Sequence, residues 1–277
     1  MGRPERVVEF GSLPRDTDRD AALLDLRQPS RSRVEIVLAP SLEQKLERIE
    51  AEYRALDALS RRGLPAKTRL LFIGPPGCGK TLCAEILAND LGLPVLYARF
   101  DGIVSSYLGE TANNLRRVFQ YAARHRSVLF FDEFDVLGKD RDDPQEVGEL
   151  KRVVGSFLQL LDSYPRENLM VAATNHEGLL DEALWRRFDE VLFFEKPTPE
   201  QLAQLIELKL RSVRTSGVDV ARLASEMSGL TFADAEKVCF EATKAMILAG
   251  RKELANDLLA NELAEQRTRM GLSTKQR

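Results

Sequence analysis

The sequence predicts an α/β domain, in which a five-stranded parallel sheet lies between layers of helices, followed by a small all-helical domain. Three observations predict this fold class. Five strand-sized apolar runs alternate with helical stretches between residues 69 and 194, and a glycine-rich loop follows the first run. After Lys196-Pro197 the strand-like runs stop, while helical periodicity continues. The length of 277 residues suits two such parts, since domains hold about 150 residues.

The composition indicates a globular protein and disfavours several other classes. Apolar residues make up 44% of the chain and charged residues 30%, close to the globular average. The 40 basic and 43 acidic residues give a net charge of −3, which argues against a nucleic-acid coat or a polybasic membrane binder. Three cysteines without metal-ligand spacing favour a reducing compartment. Because there is neither a membrane-length apolar run nor a secretion signal, we expect a soluble, cytoplasmic protein.

The N-terminal part holds one predicted helix. Residues 1–33 carry three prolines among mixed charges and are expected to form a flexible or loosely docked arm, with a docking peptide for a partner as the alternative. Residues 33–39 alternate weakly, like a short strand. Ser41 and Gln44 then form a capping box. They begin a helix whose apolar residues recur at spacings of three and four up to residue 59.

The remaining elements follow from the alternation of apolar and helical stretches. Strands are predicted at residues 69–73, 94–100, 128–131, 169–173 and 191–194. Helices are predicted near residues 81–91, 112–124, 146–162, 179–186, 199–213, 219–228, 232–249 and 252–268. These elements place an α/β domain at 34–196 and a helical domain at 197–277, with a ligand expected at the carboxyl ends of the strands.

A phosphate-binding loop is the most specific motif of the chain. The GxxxxGK[ST] pattern occupies residues 74–81, after a strand and before a helix, as this motif requires, and predicts a P-loop NTPase. Its glycines let backbone N–H groups converge on phosphate oxygens. Lys80 would reach the β- and γ-phosphates and the Thr81 hydroxyl would ligate Mg²⁺, whereas a plain glycine-rich turn explains neither residue. The residues predicted to contact the nucleotide are Gly74, Pro75, Pro76, Gly77, Cys78, Gly79, Lys80, Thr81 and Leu82.

Two later strands end in polar residues that suit hydrolysis. The apolar run 128–131 leads into Asp132, which would hold Mg²⁺, and Glu133, which would orient and deprotonate the attacking water. An acidic strand end without a catalytic role is the alternative. The strand at 169–173 leads into Asn175, whose amide could hydrogen-bond the γ-phosphate or the water. With the phosphate loop, these residues predict an enzyme that hydrolyses its nucleotide.

Taken together, these motifs resemble those of the AAA+ ATPases, in particular the AAA subgroup of protein unfoldases and remodellers, over residues 40–268. The resemblance implies a Mg²⁺-dependent ATPase that converts ATP and water into ADP and phosphate. It also implies that Asp132 and Glu133 form the Walker B motif and that Asn175 is sensor 1.

Residues 184–189, Leu-Trp-Arg-Arg-Phe-Asp, resemble the arginine-finger segment of that subgroup. Arg187, directly before Phe-Asp, is the closest match. The family pattern separates two arginines by two residues, whereas Arg186 and Arg187 are adjacent, so either could be the one that reaches the γ-phosphate in a neighbouring subunit. Capping of a helix C-terminus by the two arginines is the alternative.

Two further segments resemble substrate-contacting loops. In residues 106–111, Tyr107, Leu108 and Gly109 match the aromatic–aliphatic–glycine triplet with which the family's first pore loop grips a threaded polypeptide. An ordinary buried tyrosine is the alternative. Residues 138–148 lie where a second pore loop would be, and a solvated charged surface explains them equally well.

The helical domain contains a turn that resembles an adenine contact. Residues 229–234 match the subgroup's small-residue turn, which assigns Ala233 to the nucleotide site, with Phe232 where the subgroup has glycine. No arginine follows at the usual sensor-2 place, as expected for the unfoldase branch.

The resemblance implies a ring, most simply a homo-hexamer, that uses ATP hydrolysis to unfold, thread or remodel polypeptide substrates. Two alternatives stay open: a nucleotide-gated assembly scaffold, and a nucleic-acid motor or loader on the same core, which the acidic balance and Tyr107 disfavour. The sequence is also similar to bacterial AAA ATPases encoded beside subtilisin-like serine peptidases. This similarity implies a peptidase of that kind, or a separate adaptor, as a partner.

Overall fold

The computed structural model describes residues 10–104, 108–134, 144–175 and 185–274. The chain forms two compact units. The first contains the residues up to 32 together with 41–74 and 80–193, and the second contains 33–40, 75–79 and the residues from 194 onwards. The phosphate-binding loop therefore groups with the second unit, while the strand before it and the helix after it belong to the first.

The first unit is built on a six-stranded sheet. Its strands are β1 (Leu24–Arg27), β2 (Arg69–Ile73), β3 (Val95–Ala98), β4 (Val128–Phe131), β5 (Leu169–Thr174) and β6 (Glu190–Phe193). They lie in the order β1-β3-β4-β5-β2-β6, and every neighbouring pair is parallel except β1 with β3. The predicted α/β fold class with five parallel strands is confirmed.

The sixth strand, β1, comes from the segment that we expected to form a loosely docked arm. It pairs with β3 in antiparallel register, with Leu24 opposite Ala98 and Arg27 opposite Val95. Leu23 and Leu24 are fully buried, and the burial of these two side chains explains why the segment lies against the sheet. Residues 1–9 of the expected arm lie outside the described part of the chain.

Helices of the first unit pack around this sheet. They are α1 (Pro40–Arg54), α2 (Leu56–Ser60), α3 (Lys80–Asp90), α4 (Phe100–Ile103), α5 (Leu108–Ala123) and α6 (Pro144–Ser163). The short strand predicted at 33–39 is wrong, because Arg33–Glu35 forms a 3-10 helix with no buried residue. A weak alternation without a buried face does not hold a strand. Most of the helix predicted at 179–186 lies outside the described residues.

Aromatic packing supports the carboxyl end of β4. Phe131 is fully buried, and its ring meets those of Phe119 and Phe157 at centroid distances of 5.6 and 5.4 Å. Phe134, just beyond the strand, packs on Phe157 at 4.7 Å. Buried aromatic residues thus fix the backbone on both sides of Asp132 and Glu133.

The second unit is mainly helical. Its helices are α7 (Pro199–Leu210), α8 (Val220–Glu226), α9 (Phe232–Leu248) and α10 (Asn256–Thr274), and two short parallel strands, β7 (Thr215–Ser216) and β8 (Leu254–Ala255), join it. The predicted helix start at Thr198 is confirmed by its capping box with Gln201. Among the described residues, no helix combines the length and apolar character needed to cross a lipid bilayer.

Candidate active site

The phosphate-binding loop requires glycine at Gly77 for two reasons. Its φ of 76° lies in the left-handed region, which L side chains rarely adopt. A Cβ at Gly77 would also lie 2.7 Å from the Thr231 hydroxyl and 3.1 Å from the Ala233 side chain. The Gly77 carbonyl accepts a hydrogen bond from the Ala233 N–H at 3.0 Å. The predicted adenine-contacting turn is thus bonded directly to the loop within the second unit.

Lys80 connects the ends of two neighbouring strands. It is the first residue of α3, is 6% exposed, and donates from Nζ to the Gly74 carbonyl at 2.6 Å and to Oδ1 of Asn175 at 2.8 Å. Gly74 follows β2 and Asn175 follows β5, and these strands pair. A buried ammonium gains most from charged acceptors, so a phosphate group suits this position chemically.

Thr81 and Asp132 form the donor set expected for Mg²⁺. The Thr81 hydroxyl donates to Oδ2 of Asp132 at 2.7 Å, which places a hydroxyl and a carboxylate oxygen side by side. Mg²⁺ is commonly held by one or two protein oxygens together with substrate phosphates and waters. The residues present therefore fit a magnesium ion that accompanies a nucleotide.

Glu133 has a strained backbone. Its φ of 52° is one of only two positive φ values among the non-glycine residues that the structure describes, and such residues cost on the order of 1–3 kcal/mol each. Oδ1 of Asp132 accepts the Glu133 N–H at 2.9 Å, and buried Phe131 and Phe134 flank the turn. Glu133 itself is exposed. Strain that the surroundings maintain is typical of functional sites.

The predicted catalytic residues of the first unit therefore meet at one edge of the sheet. β4, β5 and β2 are adjacent, and their carboxyl ends carry Asp132, Asn175 and the loop leading to Lys80. This is the edge at which ligands bind in parallel α/β sheets. The placement agrees with the expectation from the sequence, while the role of each residue stays a prediction.

The predicted arginine finger lies at the other end of the sheet. Asp189, which precedes β6, donates its N–H to the Arg69 carbonyl at 2.8 Å, at the amino end of β2. The five residues of β2 separate this point from the phosphate-binding loop, a distance of roughly 16 Å at about 3.3 Å per residue. Arg187 is half-buried and its Nε bonds both carboxylate oxygens of Asp162, at 3.1 and 3.0 Å. Arg186 is exposed. Within the first unit, Arg187 therefore lies near the amino end of β2, away from the carboxyl end that leads into Gly74.

Sequence reasoning missed the role of Asp189 as an anchor. Its Oδ2 accepts the N–H groups of Thr68 and Arg69 at 3.0 and 2.9 Å, and its Oδ1 accepts from Arg166 at 2.6 Å. These three hydrogen bonds to the Asp189 carboxylate fix the segment that carries the two arginines. The sequence shows that Asp189 ends the motif Arg-Phe-Asp, but the backbone N–H groups that donate to it, those of Thr68 and Arg69, lie 121 and 120 residues away along the chain.

The substrate-contacting segments are only partly described. Tyr107 lies outside the described residues, and Leu108 and Gly109 form the first turn of α5 instead of part of a loop. The turn-forming character of glycine made a longer loop the natural expectation. Of the predicted second pore loop, 144–148 belong to α6 and the residues before them lie outside the described part.

Comparisons with known proteins agree with this geometry. Residues 70–196 match the family described as ATPase family associated with various cellular activities (AAA). The chain is 44% identical over 227 residues to the AAA family ATPase y4kL of Sinorhizobium fredii, covering 82% of this chain and 68% of that protein. This chain belongs to the AAA family of ATPases. The AAA ATPase accordingly binds nucleotide and hydrolyses ATP.

More distant relatives include two proteins whose names refer to the proteasome. The AAA ATPase is 31% identical over 212 residues to the proteasome-activating nucleotidase of Pyrococcus horikoshii, covering 74% of this chain and 53% of that protein. It is 30% identical over 241 residues to the 26S proteasome regulatory subunit 8 homolog of Schizosaccharomyces pombe, covering 83% and 60%. The human ATPase family gene 2 protein homolog A is 34% identical, and the match spans 24% of its length. The chain thus spans less than two thirds of these three relatives.

Proposed function

We propose that this AAA ATPase assembles into a ring, most simply a hexamer, that couples ATP hydrolysis to the unfolding, threading or remodelling of polypeptides. One observation carries the need for assembly: Arg187 lies at the opposite end of β2 from the phosphate-binding loop. If Arg187 completes a catalytic site, that site belongs to another subunit. The similarity to a proteasome-activating nucleotidase supports a polypeptide substrate.

We assign the hydrolytic roles from the contacts at the carboxyl ends of the strands. Thr81 and Asp132 would hold Mg²⁺, which neutralises charge on the β- and γ-phosphates when bound. Lys80 would bind the phosphates, and Asn175, bonded to Lys80, would hold the γ-phosphate or the attacking water. Glu133 would orient that water and accept its proton.

We assign the finger role to Arg187, with Arg186 as its neighbour in the segment. To act in another subunit, the Arg187 guanidinium would have to exchange the Asp162 carboxylate for a phosphate. The guanidinium would lose one anionic partner and gain another of the same kind, because carboxylate and phosphate oxygens both bind a guanidinium well. Asp162 thus holds the arginine when the neighbouring nucleotide does not.

A cytoplasmic location, expected from the composition and the cysteines, is also part of the proposal, and so is a separate adaptor or, on the resemblance alone, a subtilisin-like serine peptidase as partner. The buried, unbridged cysteines that the structure describes, Cys78, Cys83 and Cys239, suit a reducing compartment. Purification of the complex from native cells would identify a peptidase partner, and a ring recovered alone under mild conditions would contradict this part of the proposal.

The test of the proposed function is the steady-state ATPase rate with reduced, carboxymethylated lactalbumin (a permanently unfolded polypeptide), with single-stranded DNA, or with no addition. We expect stimulation by the polypeptide alone. The Tyr107→Ala variant should lose that stimulation, whereas the matched control Tyr107→Phe, which keeps the aromatic ring, should retain it. Stimulation by DNA would support a nucleic-acid motor instead, and a slow rate that neither addition changes would support a nucleotide-gated scaffold.

A further inference from the structure

We call the N-terminal segment, residues 10–27, the N-terminal strap; its residues 10–16 follow α5 from the C-terminal end of the helix back to Asn114. Its first residues lie at the C-terminal end of the helix and its later residues near the first turns. In this order, the Phe10 ring stacks on His125 at 5.0 Å, the Tyr121 hydroxyl donates to the Gly11 carbonyl at 3.0 Å, Arg117 donates to the Arg15 carbonyl at 2.9 Å, and the Asn114 amide donates to Asp16 at 2.6 Å. The strap is thus attached at successive turns of one helix.

Asp16 is the best-enclosed polar residue of the strap. It is 3% exposed, and its Oδ1 accepts the N–H groups of Asp18 and Arg19 at 3.0 and 2.8 Å. Its Oδ2 accepts from the Asn114 amide and from the Arg19 guanidinium at 3.2 Å. The Arg19 N–H and the Asn114 amide hold the pKa of Asp16 well below its usual range. A buried carboxylate with this many donors has one defined position.

Arg19 extends this network to the segment just before residue 105. Its Nη2 donates to the Gly102 carbonyl at 2.8 Å and to the Val104 carbonyl at 3.2 Å. The strap backbone also packs on Gly102, where a Cβ would lie 2.4 Å from the Ala22 carbonyl oxygen. The strap therefore holds the backbone on both sides of residues 105–107, through Gly102 and Val104 before them and through Asn114 after them.

The end of the strap reaches the helix that begins at the phosphate-binding loop. β1 pairs with β3, and the Arg27 guanidinium lies over the Tyr97 ring at 4.0 Å. The Tyr97 hydroxyl donates to the carboxylate of Glu85, which lies one turn after Thr81 in α3. One continuous segment thus contacts the base of the predicted substrate loop and, through Tyr97, the nucleotide-binding helix.

We propose that the strap positions the backbone at Gly102, Val104 and Asn114, before and after residues 105–107, with Arg19 as the positioning residue, so that the polypeptide contact predicted for Tyr107 stays coupled to ATP hydrolysis. This inference rests on the proposed function, because it assigns the strap to the use of polypeptide and not to hydrolysis itself. Arg19 contacts no residue of the predicted catalytic set. Its guanidinium donates to Asp16 within the strap and to the carbonyl groups of Gly102 and Val104 outside it.

The experiment uses the full chain and measures ATPase rates against concentrations of ATP and of carboxymethylated lactalbumin. For Arg19→Ala we expect a basal rate and a KM for ATP within about twofold of wild type. The polypeptide concentration that gives half-maximal stimulation should rise about tenfold, as for the loss of one charge-assisted hydrogen bond. Arg15→Ala is the matched control, because Arg15 bonds only the exposed Asp20 through its side chain, and it should behave as wild type.

Two further variants separate positioning from folding. Arg19→Lys keeps a cation that can reach one carbonyl, so it should restore part of the response. Gly102→Ala would bring a Cβ to 2.4 Å from the Ala22 carbonyl oxygen, so it should displace the strap at Gly102 and raise the half-maximal polypeptide concentration in the same way. Loss of polypeptide affinity in both Arg19→Ala and Gly102→Ala, with an unchanged KM for ATP, supports the proposal.

Results that overturn this inference can be distinguished from a failure of the proposed function by the response of the wild type to polypeptide. If wild type responds to polypeptide and Arg19→Ala responds at the same concentrations, the strap does not position the loop. If Arg19→Ala raises the KM for ATP and lowers the melting temperature to the same degree as it weakens the response, its role is in folding, and the inference is overturned. If wild type itself shows no response to polypeptide, the proposed function fails first and this inference fails with it.

Discussion

The two ends of β2 differ in how their polar groups are used. At the carboxyl end, Lys80 is bonded to neutral oxygens of Gly74 and Asn175. At the amino end, Asp189 is bonded to two backbone N–H groups and to Arg166, and Arg187 is bonded to Asp162. The carboxyl end also carries Thr81 bonded to Asp132, a pair of oxygen groups that suits a magnesium nucleotide. The amino end joins carboxylates to guanidinium groups, and these contacts hold the structure together and present an arginine.

The largest expected effect is on turnover, and it tests whether an arginine from the amino end of β2 acts at the carboxyl end in another subunit. Arg187→Ala should keep nucleotide affinity and lower turnover by about a thousandfold, because an arginine supplied from another subunit stabilises charge in the transition state. Arg186→Ala, the matched control, should change turnover much less. Mixing Arg187→Ala with Lys80→Ala, which lacks its own site but retains Arg187, should restore part of the activity. Mixed rings that form but remain inactive would show that Arg187 does not act between subunits.

The next effect concerns the carboxyl end alone. Glu133→Gln should bind ATP and remain assembled, and its turnover should fall by about a hundredfold or more, because the amide cannot accept a proton from water. Glu167→Gln, an exposed residue just before β5 and thus at the amino end of the sheet, is the control and should be unaffected. Nucleotide binding and single-turnover hydrolysis measure the two steps separately. Normal hydrolysis by Glu133→Gln would exclude Glu133 as the base.

Gly77→Ala tests the steric argument at the phosphate-binding loop. The new Cβ would clash with Thr231 and also sit at a positive φ, so we expect a loss of stability larger than the roughly 1–2 kcal/mol that the left-handed conformation alone costs. Gly92→Ala provides the control, because Gly92 has a φ of 65° and nothing within 4 Å of the added methyl group. Urea unfolding of both variants gives the difference. Equal losses would mean that the Thr231 contact adds no constraint.

The smallest expected effects are losses of stability from the contacts of Asp189 at the amino end. Asp189→Ala should reduce stability by about 2 kcal/mol, because it leaves the buried N–H groups of Thr68 and Arg69 without their acceptor. Arg166→Ala should cost less than about 1 kcal/mol, since its side chain is 49% exposed. Thermal unfolding of both variants compares these costs. An Arg166→Ala variant as unstable as Asp189→Ala would mean that the ion pair, and not the backbone bonds, holds this end together.

The sequence predicted what local patterns encode. The phosphate-binding loop, the strand ending at Asp132 and the helix start at Thr198 each depend on residues within a few positions of one another, and the structure has all three elements. The positive φ at Glu133 escaped prediction because nothing in its residue type indicates a left-handed backbone; the turn is imposed by the burial of Phe131 and Phe134 on either side.

Contacts between residues far apart in the chain were the other feature that the sequence could not predict. β1 is four residues long, and it becomes a strand only because β3, far along the chain, offers it a free edge. The hydrogen bond from Arg19 to Gly102 is also long-range. The turn that joins Asp16 and Arg19 is local, but Gly102 lies 83 residues further along the chain. Residue patterns indicate that a segment can turn or extend, and the packing partner decides which of these it does.

The antiparallel attachment of β1 also affects how the sheet opens. The five parallel strands keep all their mutual hydrogen bonds whether or not β1 is in place, so the strap, which ends in β1, can detach as one cooperative unit without unfolding the rest. Amide protons shared by β1 and β3 should accordingly exchange with solvent well before those shared by β4 and β5. Binding of a polypeptide that requires the docked strap should slow exchange at β1 and leave the central strands unchanged, because only the opening of the edge is coupled to it.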